Sequence, residues 1–156
     1  MIHHRDTEGA KKRKIHHRDA EGTEGKGKLT MRTADKDDPL TYDIIGAAID
    51  AHRILGPGLL ESVYEEALCI ELEERGLSLE RQKRIDIDYR GRIIGDLFAD
   101  IIVESGVILE LKSVEKLLPI HTAQLLTYLK LTGIQKGLLI NFNVATLKQG
   151  IKRIIL

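Results

Sequence analysis

Two apolar runs of strand length meet at a short polar turn between residues 96 and 115. The first run ends at Val103 and the second begins at Val107, with Glu104-Ser105-Gly106 between them. This pattern predicts a β-hairpin. The last residue of such a loop needs φ > 0, and we expect Gly106 to supply it. The hairpin is the strongest constraint on the fold, because its register decides which side chains share a face of the sheet.

With the residues on either side of this turn paired, Asp100 lies directly opposite Glu110. Side chains alternate along a strand, so Lys112 projects on the same face as Glu110. Leu109 and Leu111 then project on the other face. A slip of one residue would move Asp100 to the wrong face, so the prediction depends on this register.

The facing acids need a physical explanation. Like charges opposite each other destabilise a strand pair, and burial adds to the cost unless a cation compensates. Oxygen ligands without nearby Cys or His favour Mg²⁺ or Mn²⁺ over zinc. We therefore expect Asp100 and Glu110 to hold a divalent ion, while Lys112 orients a water or offsets charge on a phosphate. The alternative is a half-exposed hairpin whose charges face solvent, with Lys112 paired to either acid.

Composition limits the class of protein. The 156 residues fit one domain of ordinary size. Residues 39–156 contain 14 basic and 16 acidic residues, so this body is slightly acidic and does not predict a strongly basic nucleic-acid groove. A single cysteine, Cys69, indicates a reducing compartment. No stretch approaches the roughly 18 apolar residues of a membrane span, so we expect a soluble, cytoplasmic protein without a membrane partner.

Residues 1–38 differ from the body. The segments at 2–9 and 15–22 are nearly identical, and they accompany almost no apolar residues. Such a segment cannot bury enough surface to offset chain entropy, so we predict a disordered tail. Its two histidine pairs invite a metal-binding interpretation, but we favour a low-complexity extension. The pairs are His3 with His4 and His16 with His17.

The order of helix and strand patterns in the body, 39–156, predicts a mixed α/β sheet flanked by helices. Thr41 or Asp43 is the expected N-cap of the first helix, and Gly56-Pro57-Gly58 ends it. The predicted elements are helices at 40–55 and 60–75, strands at 81–89, 93–103 and 107–114, a helix at 120–131, a strand at 138–140, a short turn or helix, and a strand at 151–156.

Further polar residues lie on the predicted helices. Glu61 is in the first turn of the second helix, where the helix dipole favours a carboxylate, and Tyr64 follows one turn later. His121, Gln124 and Tyr128 share one side of the helix at 120–131. By spacing alone, these patterns are typical of a helix start and of a polar helix flank.

Basic residues cluster on the predicted strand meander, where they are a weak candidate for phosphate contact and otherwise form a solvated face. The cluster consists of Arg81, Lys83, Arg84, Arg90 and Arg92.

Several of these motifs, in this order, resemble the GxxExxY family, a branch of the PD-(D/E)XK nuclease superfamily. The resemblance covers about 40–156 and leaves out the tail. It is carried by Gly58-Leu59-Leu60-Glu61-Ser62-Val63-Tyr64, Ala99-Asp100, Glu110-Leu111-Lys112, Gln124 with Tyr128, and Gly137-Leu138-Leu139-Ile140-Asn141-Phe142.

The resemblance implies a restriction-endonuclease-like fold with metal held by Asp100 and Glu110 and with Lys112 as the catalytic lysine. It also implies that Glu61 adds a carboxylate to the metal site. Gln124 and Tyr128 resemble the Gln-x-x-x-Tyr signature of the RecB-like exonuclease branch, in which that helix helps to position substrate and active site.

One departure concerns the first aspartate. Ala99, rather than proline, precedes Asp100, a variation that the superfamily tolerates. Asp96 is a second candidate, but it lies about four residues further from the turn and would pair with Val114 in the same register. We therefore prefer Asp100.

The implied activity is Mg²⁺- or Mn²⁺-dependent hydrolysis of phosphodiester bonds in DNA, with RNA as an alternative substrate. A second hypothesis is a catalytically weak or inactive module that binds nucleic acid or protein, which the near-neutral body and the missing basic groove favour. A third is a small subunit that supplies a nuclease centre to a larger assembly. A protein partner or a homo-oligomer is compatible with the sequence.

Overall fold

The computed structural model describes residues 38–156. The predicted tail, with its repeat and its histidine pairs, lies outside the described residues except for Asp38. This residue, and not Thr41 or Asp43, is the N-cap of the first helix: its Oδ1 accepts a hydrogen bond from the Thr41 N–H at 3.2 Å. Pro39 follows at the first helical position, where its missing N–H costs least.

The predicted order of helices and strands is confirmed, with small shifts at the boundaries. The elements are α1 (Pro39–Leu55), α2 (Glu61–Glu74), β1 (Leu79–Tyr89), β2 (Arg92–Val103), β3 (Val107–Lys112), α3 (Pro119–Thr132), β4 (Lys136–Asn141), a 3₁₀ turn (Leu147–Gly150) and β5 (Ile151–Ile155). In the part of the chain from 38 onward, none of the helices has the length and apolar character needed to cross a membrane.

The five strands form one mixed sheet in the order β1-β2-β3-β4-β5. Neighbouring strands are antiparallel except β3 and β4, which are parallel. Parallel neighbours need a long crossover connection, and α3 provides it. The predicted α/β fold is confirmed and is consistent with a restriction-endonuclease-like architecture.

The sheet separates two apolar cores. The first core packs α1 and α2 against one face, and it includes Leu109 and Leu111 of β3. The second core packs α3 against the opposite face, and it includes Ile102 and Ile108. Both faces of β3 are therefore covered. Because side chains alternate, Glu110 and Lys112 lie on the face of Ile108, towards α3.

The predicted hairpin register is confirmed by three pairs at the turn, which are Val103 with Val107, Ile102 with Ile108 and Ile101 with Leu109. The prediction for the turn itself is wrong. Glu104 and Ser105 carry the positive φ values, 50° and 52°, whereas Gly106 does not. Contacts from outside the turn hold this conformation, because the Glu104 N–H donates to the Ser78 carbonyl at 2.9 Å and its carboxylate accepts from the Ser78 N–H at 2.8 Å.

Alternation breaks within β1 and β2. Leu79 packs against the first core and Ile85 lies in the second, although both positions would share a face on a regular strand. In β2, Ile101 lies in the first core and Ala99 in the second. In both strands, the side chains that face the first core on one side of this irregularity face the second core on the other side. The switch occurs at about the same level of the sheet in β1 and β2.

Candidate metal centre

The two predicted acids lie together where β2 and β3 diverge. Beyond the pair Ile101–Leu109, side chains replace the backbone ladder. The Asp100 N–H donates to Glu110 Oε1 at 3.2 Å. The Leu111 N–H donates to Asp100 Oδ2 at 2.8 Å. Each carboxylate thus binds the backbone of the opposite strand, which places the acids across from each other, as the register predicts.

Burial sets the electrostatics of this pair. Glu110 is 6% exposed, so it is not a solvent-facing charge on a half-exposed hairpin. Burial and the neighbouring negative charge of Asp100 raise the pKa of Glu110 to about 8. Burial also raises the pKa of Asp100. The structure therefore confines two acidic groups that resist carrying their charges together.

Lys112 is half-buried at the end of β3. Its positive charge lowers the pKa of both acids, yet among residues 38–156 it forms no ion pair shorter than 4.0 Å. Backbone contacts fix its position, because it pairs with Asn141 of β4 and its carbonyl accepts from the Phe142 N–H at 2.9 Å.

The segment after Lys112 is held by one buried amide. Asn141 Oδ1 accepts from the Val114 N–H at 3.1 Å, and Asn141 Nδ2 donates to the Val114 carbonyl at 2.9 Å. Asn141 is 3% exposed. It satisfies both backbone groups of Val114 where no neighbouring strand does, and so fixes the chain just beyond the lysine.

Tyr128 of α3 lies near the acids, and Gln124 lies one turn before it. Burial, together with the negative charges of Glu110 and Asp100, raises the pKa of Tyr128 to about 12. Its phenol is therefore protonated at neutral pH and can donate a hydrogen bond. Gln124 is exposed, and within the described part of the chain no hydrogen bond joins its side chain to the acidic pair.

The segment Gly58–Tyr64 has a clear structural role. Tyr64 is fully buried, its hydroxyl donates to the Gly56 carbonyl at 2.5 Å and accepts from the Leu59 N–H at 3.1 Å, and its ring stacks on Phe142 at 4.5 Å. These contacts pin the loop between α1 and α2 to the first core.

Glu61 contacts the chain next to the lysine. Its Oε2 accepts from the Ser113 N–H at 3.3 Å, and Ser113 Oγ donates to the Leu59 carbonyl at 2.5 Å. The structure therefore places Glu61 beside the end of β3, while no hydrogen bond among residues 38–156 links it to Asp100 or Glu110. Its part in a metal site stays a prediction.

Two residues near Asp100, which are Gln82 and Glu65, were not identified from the sequence. Gln82 of β1 donates from Nε2 to Asp100 Oδ1 at 3.2 Å and to Glu65 Oε1 at 2.6 Å. Glu65, on α2, also forms a 3.0 Å ion pair with Arg81. Its position four residues after Glu61 places it on the same side of α2, a signal that could have identified it. No sequence pattern indicates that Gln82 reaches the acids.

The second aspartate candidate lies elsewhere. Asp96 pairs with Asp86 in the β1–β2 ladder, beyond the end of the β2–β3 ladder. Its carboxylate is 3.2 Å from the Arg84 guanidinium and is substantially exposed. Asp96 thus belongs to the distal part of the β1–β2 hairpin, and Asp100 is the acid beside Glu110.

The donor set fits a hard divalent ion with few protein ligands. Nowhere in 38–156 do three His, Cys, Asp or Glu side chains converge as a metal-ligand cluster. Mg²⁺ commonly takes one or two carboxylates and completes its octahedron with water and substrate oxygens. The buried carboxylate of Glu110 and the half-buried carboxylate of Asp100 meet that need. Within 38–156 no Cys or His, the ligands typical of zinc, joins them in a metal-ligand cluster.

Comparison with known proteins gives one family. A family model described as the PD-(D/E)XK nuclease superfamily matches residues 38–154. Neither the curated proteins nor the solved structures include a significant match. The matched range contains the three helices, the sheet except its last residue, Ile155, and every candidate residue described above.

Proposed function

Because the chain belongs to the PD-(D/E)XK nuclease superfamily, we propose that it is a divalent-metal-dependent nuclease that hydrolyses phosphodiester bonds in DNA, with RNA as the second substrate class. Nucleases of this superfamily typically use divalent metal ions. The observation that carries the proposal is the pairing of half-buried Asp100 with buried Glu110, with Lys112 on the same strand as Glu110. The Gly58–Tyr64 segment supports placement in the GxxExxY branch.

Mg²⁺ is the proposed ion, with Mn²⁺ as a substitute. Asp100 and Glu110 are its ligands, and Glu61 is retained as a third candidate beside the end of β3. When bound, the ion supplies a Lewis acid for the scissile phosphate. The protein supplies two oxygen ligands on a fixed backbone. A bound cation would offset the burial that raises the pKa of both carboxyl groups, and the negative charge of Asp100 that raises the pKa of Glu110 further.

The remaining residues act on the substrate and the attacking water. Lys112, without a close ionic partner among residues 38–156, holds the water or offsets negative charge that develops on the phosphate. Tyr128 donates a hydrogen bond from its protonated phenol. The exposed Gln124 contacts the substrate from the same helix.

Three of the five basic residues in the cluster along β1 and β2 are paired with acids, which weakens the electrostatic attraction of this cluster to nucleic acid. Arg81 pairs with Glu65 and Glu66, Lys83 pairs with Glu80, and Arg84 pairs with Asp86 and Asp96. Paired cations add little to a long-range field. This favours the second candidate, a weakly active or inactive binding module, and equally a nuclease subunit that obtains its substrate through a protein partner. The cytoplasm, as a reducing compartment, is the proposed location and suits the single buried Cys69.

The test is cleavage of single- and double-stranded DNA, and of RNA, by the purified chain with Mg²⁺, Mn²⁺ or EDTA. We expect cleavage with either ion and none with EDTA. Glu110→Gln and Lys112→Met should each lower kcat by about 10²- to 10³-fold, because each removes a group that stabilises the transition state. Matched controls are Glu115→Gln and Lys116→Met, at exposed positions shortly after β3.

Different outcomes separate the alternatives. Cleavage that survives both substitutions would reject this centre. Metal and DNA binding without cleavage would favour the binding module. Comparing Asp100→Asn with Asp96→Asn tests the choice of aspartate, since only the former should abolish metal-dependent activity.

A further inference from the structure

Gln82 has an unusual backbone conformation. Four non-glycine residues in 38–156 have positive φ; Arg90, Glu104 and Ser105 lie in turns, whereas Gln82 lies inside a strand with φ 47°. A residue with a Cβ is disfavoured in this region and stays there only where its surroundings hold it.

The irregularity falls at the level of Asp100. The β1–β2 ladder contains the pairs Arg81–Ile101 and Lys83–Ala99, but the intervening positions, Gln82 and Asp100, do not pair. The same level is where both strands exchange faces between the two cores. The backbone of Gln82 therefore releases Asp100 from the ladder on one side, while on the other side the β2–β3 ladder has already ended at Ile101.

The side chain of Gln82 then occupies the gap between two acids. Its Nε2 group carries two N–H donors, and it meets Asp100 Oδ1 at 3.2 Å and Glu65 Oε1 at 2.6 Å. Asp100 Oδ2 is meanwhile held by the Leu111 N–H. Both oxygens of Asp100 thus have a donor, and the carboxylate plane is fixed. Glu65 is braced in turn by Arg81.

We propose that Gln82 is a positioning residue for the metal centre: its strained strand conformation directs an amide that braces Asp100 against Glu65 and fixes the metal-facing orientation of Asp100. This rests on the proposed function, because it assumes that Asp100 is a metal ligand. Gln82 itself does not touch metal or substrate. It acts through Asp100, in the way that hydrogen-bonded neighbours orient the ligands of other metal sites.

The experiment measures Mn²⁺ binding to the full chain by the loss of the free-ion paramagnetic resonance signal, together with thermal unfolding in EDTA. Gln82→Gly removes the amide and relieves the backbone, because glycine adopts positive φ freely. Gln82→Met removes the amide and keeps the strain. Arg90→Gly relieves a similar φ, 54°, in the distant β1–β2 turn and is the matched control.

We expect both Gln82 variants to bind Mn²⁺ about 10- to 100-fold more weakly, with Gln82→Gly at least as heat-stable as the wild type. Arg90→Gly should bind as the wild type does. In cleavage assays the Mn²⁺ concentration for half-maximal rate should rise, while kcat at saturating Mn²⁺ changes much less.

Three results would overturn the proposal. Wild-type Mn²⁺ affinity in Gln82→Gly would reject a positioning role and leave the nuclease proposal standing. Failure of both Gln82 variants to fold would assign the residue to the fold instead. Failure of the wild-type chain to bind Mn²⁺, with Glu110→Gln behaving identically, would remove the metal centre and this proposal with it.

Discussion

The two ends of the β2–β3 hairpin differ in what holds them together. The closed end, Ile101–Val103 with Val107–Leu109, has a regular ladder whose side chains are all buried and apolar. The open end, Asp100 with Glu110–Lys112, lacks that ladder, and its carboxylates bind the opposite backbone instead. One hairpin thus places a conventionally packed segment directly beside one that carries facing acidic side chains.

The difference shows how stability and chemistry are divided along a few residues. Apolar burial at the closed end stabilises the native state and fixes the register. That register brings Asp100 and Glu110 together, although their mutual repulsion opposes folding without a cation. We therefore expect substitutions at the closed end to lower stability and neutralisation at the open end to raise it.

The largest expected effect is at the closed end. Leu109→Ala removes a fully buried side chain from the first core, and the free energy of unfolding should fall by about 2 to 5 kcal/mol. Chemical denaturation measures this change. Mn²⁺ affinity of the folded variant should stay near that of the wild type, because Leu109 projects away from the acids. If the folded Leu109→Ala variant lost Mn²⁺ binding free energy as well as stability, the two ends would not be functionally distinct.

At the open end we expect substitution to raise the free energy of unfolding instead of lowering it. Glu110→Gln replaces a buried acid by a neutral group of similar shape, so the metal-free protein should gain roughly 1 to 3 kcal/mol of stability at pH 8. Unfolding in EDTA measures the gain. Adding Mn²⁺ should raise the Tm of the wild type and leave that of the variant unchanged, since we expect only the folded wild type to bind the ion. A destabilised Glu110→Gln would contradict the view that this end opposes folding.

The pH dependence sharpens the same contrast. The pKa of Glu110 is raised from 4.5 to about 8 on folding, so its folded form keeps a proton that the unfolded chain has already lost. Its stabilising effect is complete below pH 4.5 and disappears as pH rises through about 8. The Tm in EDTA should therefore fall across this window, and Glu110→Gln should flatten the slope. Glu115→Gln, at an exposed position, is the matched control and should leave the slope unchanged.

The smallest effect is expected in the turn of the closed end. Ser105 has φ 52°, which glycine adopts without steric cost, so Ser105→Gly should raise the free energy of unfolding by about 0.5 to 1 kcal/mol. Thermal unfolding with Mn²⁺ absent provides the measurement. Gly133→Ala is the opposite control, because Gly133 has φ 75° and should lose stability. Destabilisation by Ser105→Gly would show that the serine side chain itself supports the turn.

The sequence also predicts the two ends of the β2–β3 hairpin to different extents. Local patterns predict the order of elements, the register at Val103–Val107 and the opposition of Asp100 to Glu110, because periodicity and turn length are local properties. They do not reveal which turn residues adopt positive φ. Glu104 is held by Ser78, a partner far away in the chain, and this contact overrides the preference for Gly106.

The surroundings of the acids were harder to predict for a related reason. Gln82 looks like an ordinary residue of a polar strand, and its role depends on a backbone irregularity that tertiary contacts maintain. Glu61 and Glu65 occupy equivalent sides of α2, and only the packing of α2 on the sheet distinguishes the acid next to Ser113 from the acid next to Gln82. Helical spacing alone cannot make that distinction.

The two hydrogen bonds from the Asn141 side chain to the backbone of Val114 have a consequence for how a substrate is accommodated. Two side-chain hydrogen bonds hold the backbone of Val114, two residues after the proposed catalytic lysine, so we expect this segment to move little when a ligand binds. For the proposed nucleic-acid substrate, we therefore expect the sugar-phosphate backbone, more than this segment of the protein, to adjust when the scissile bond meets Lys112.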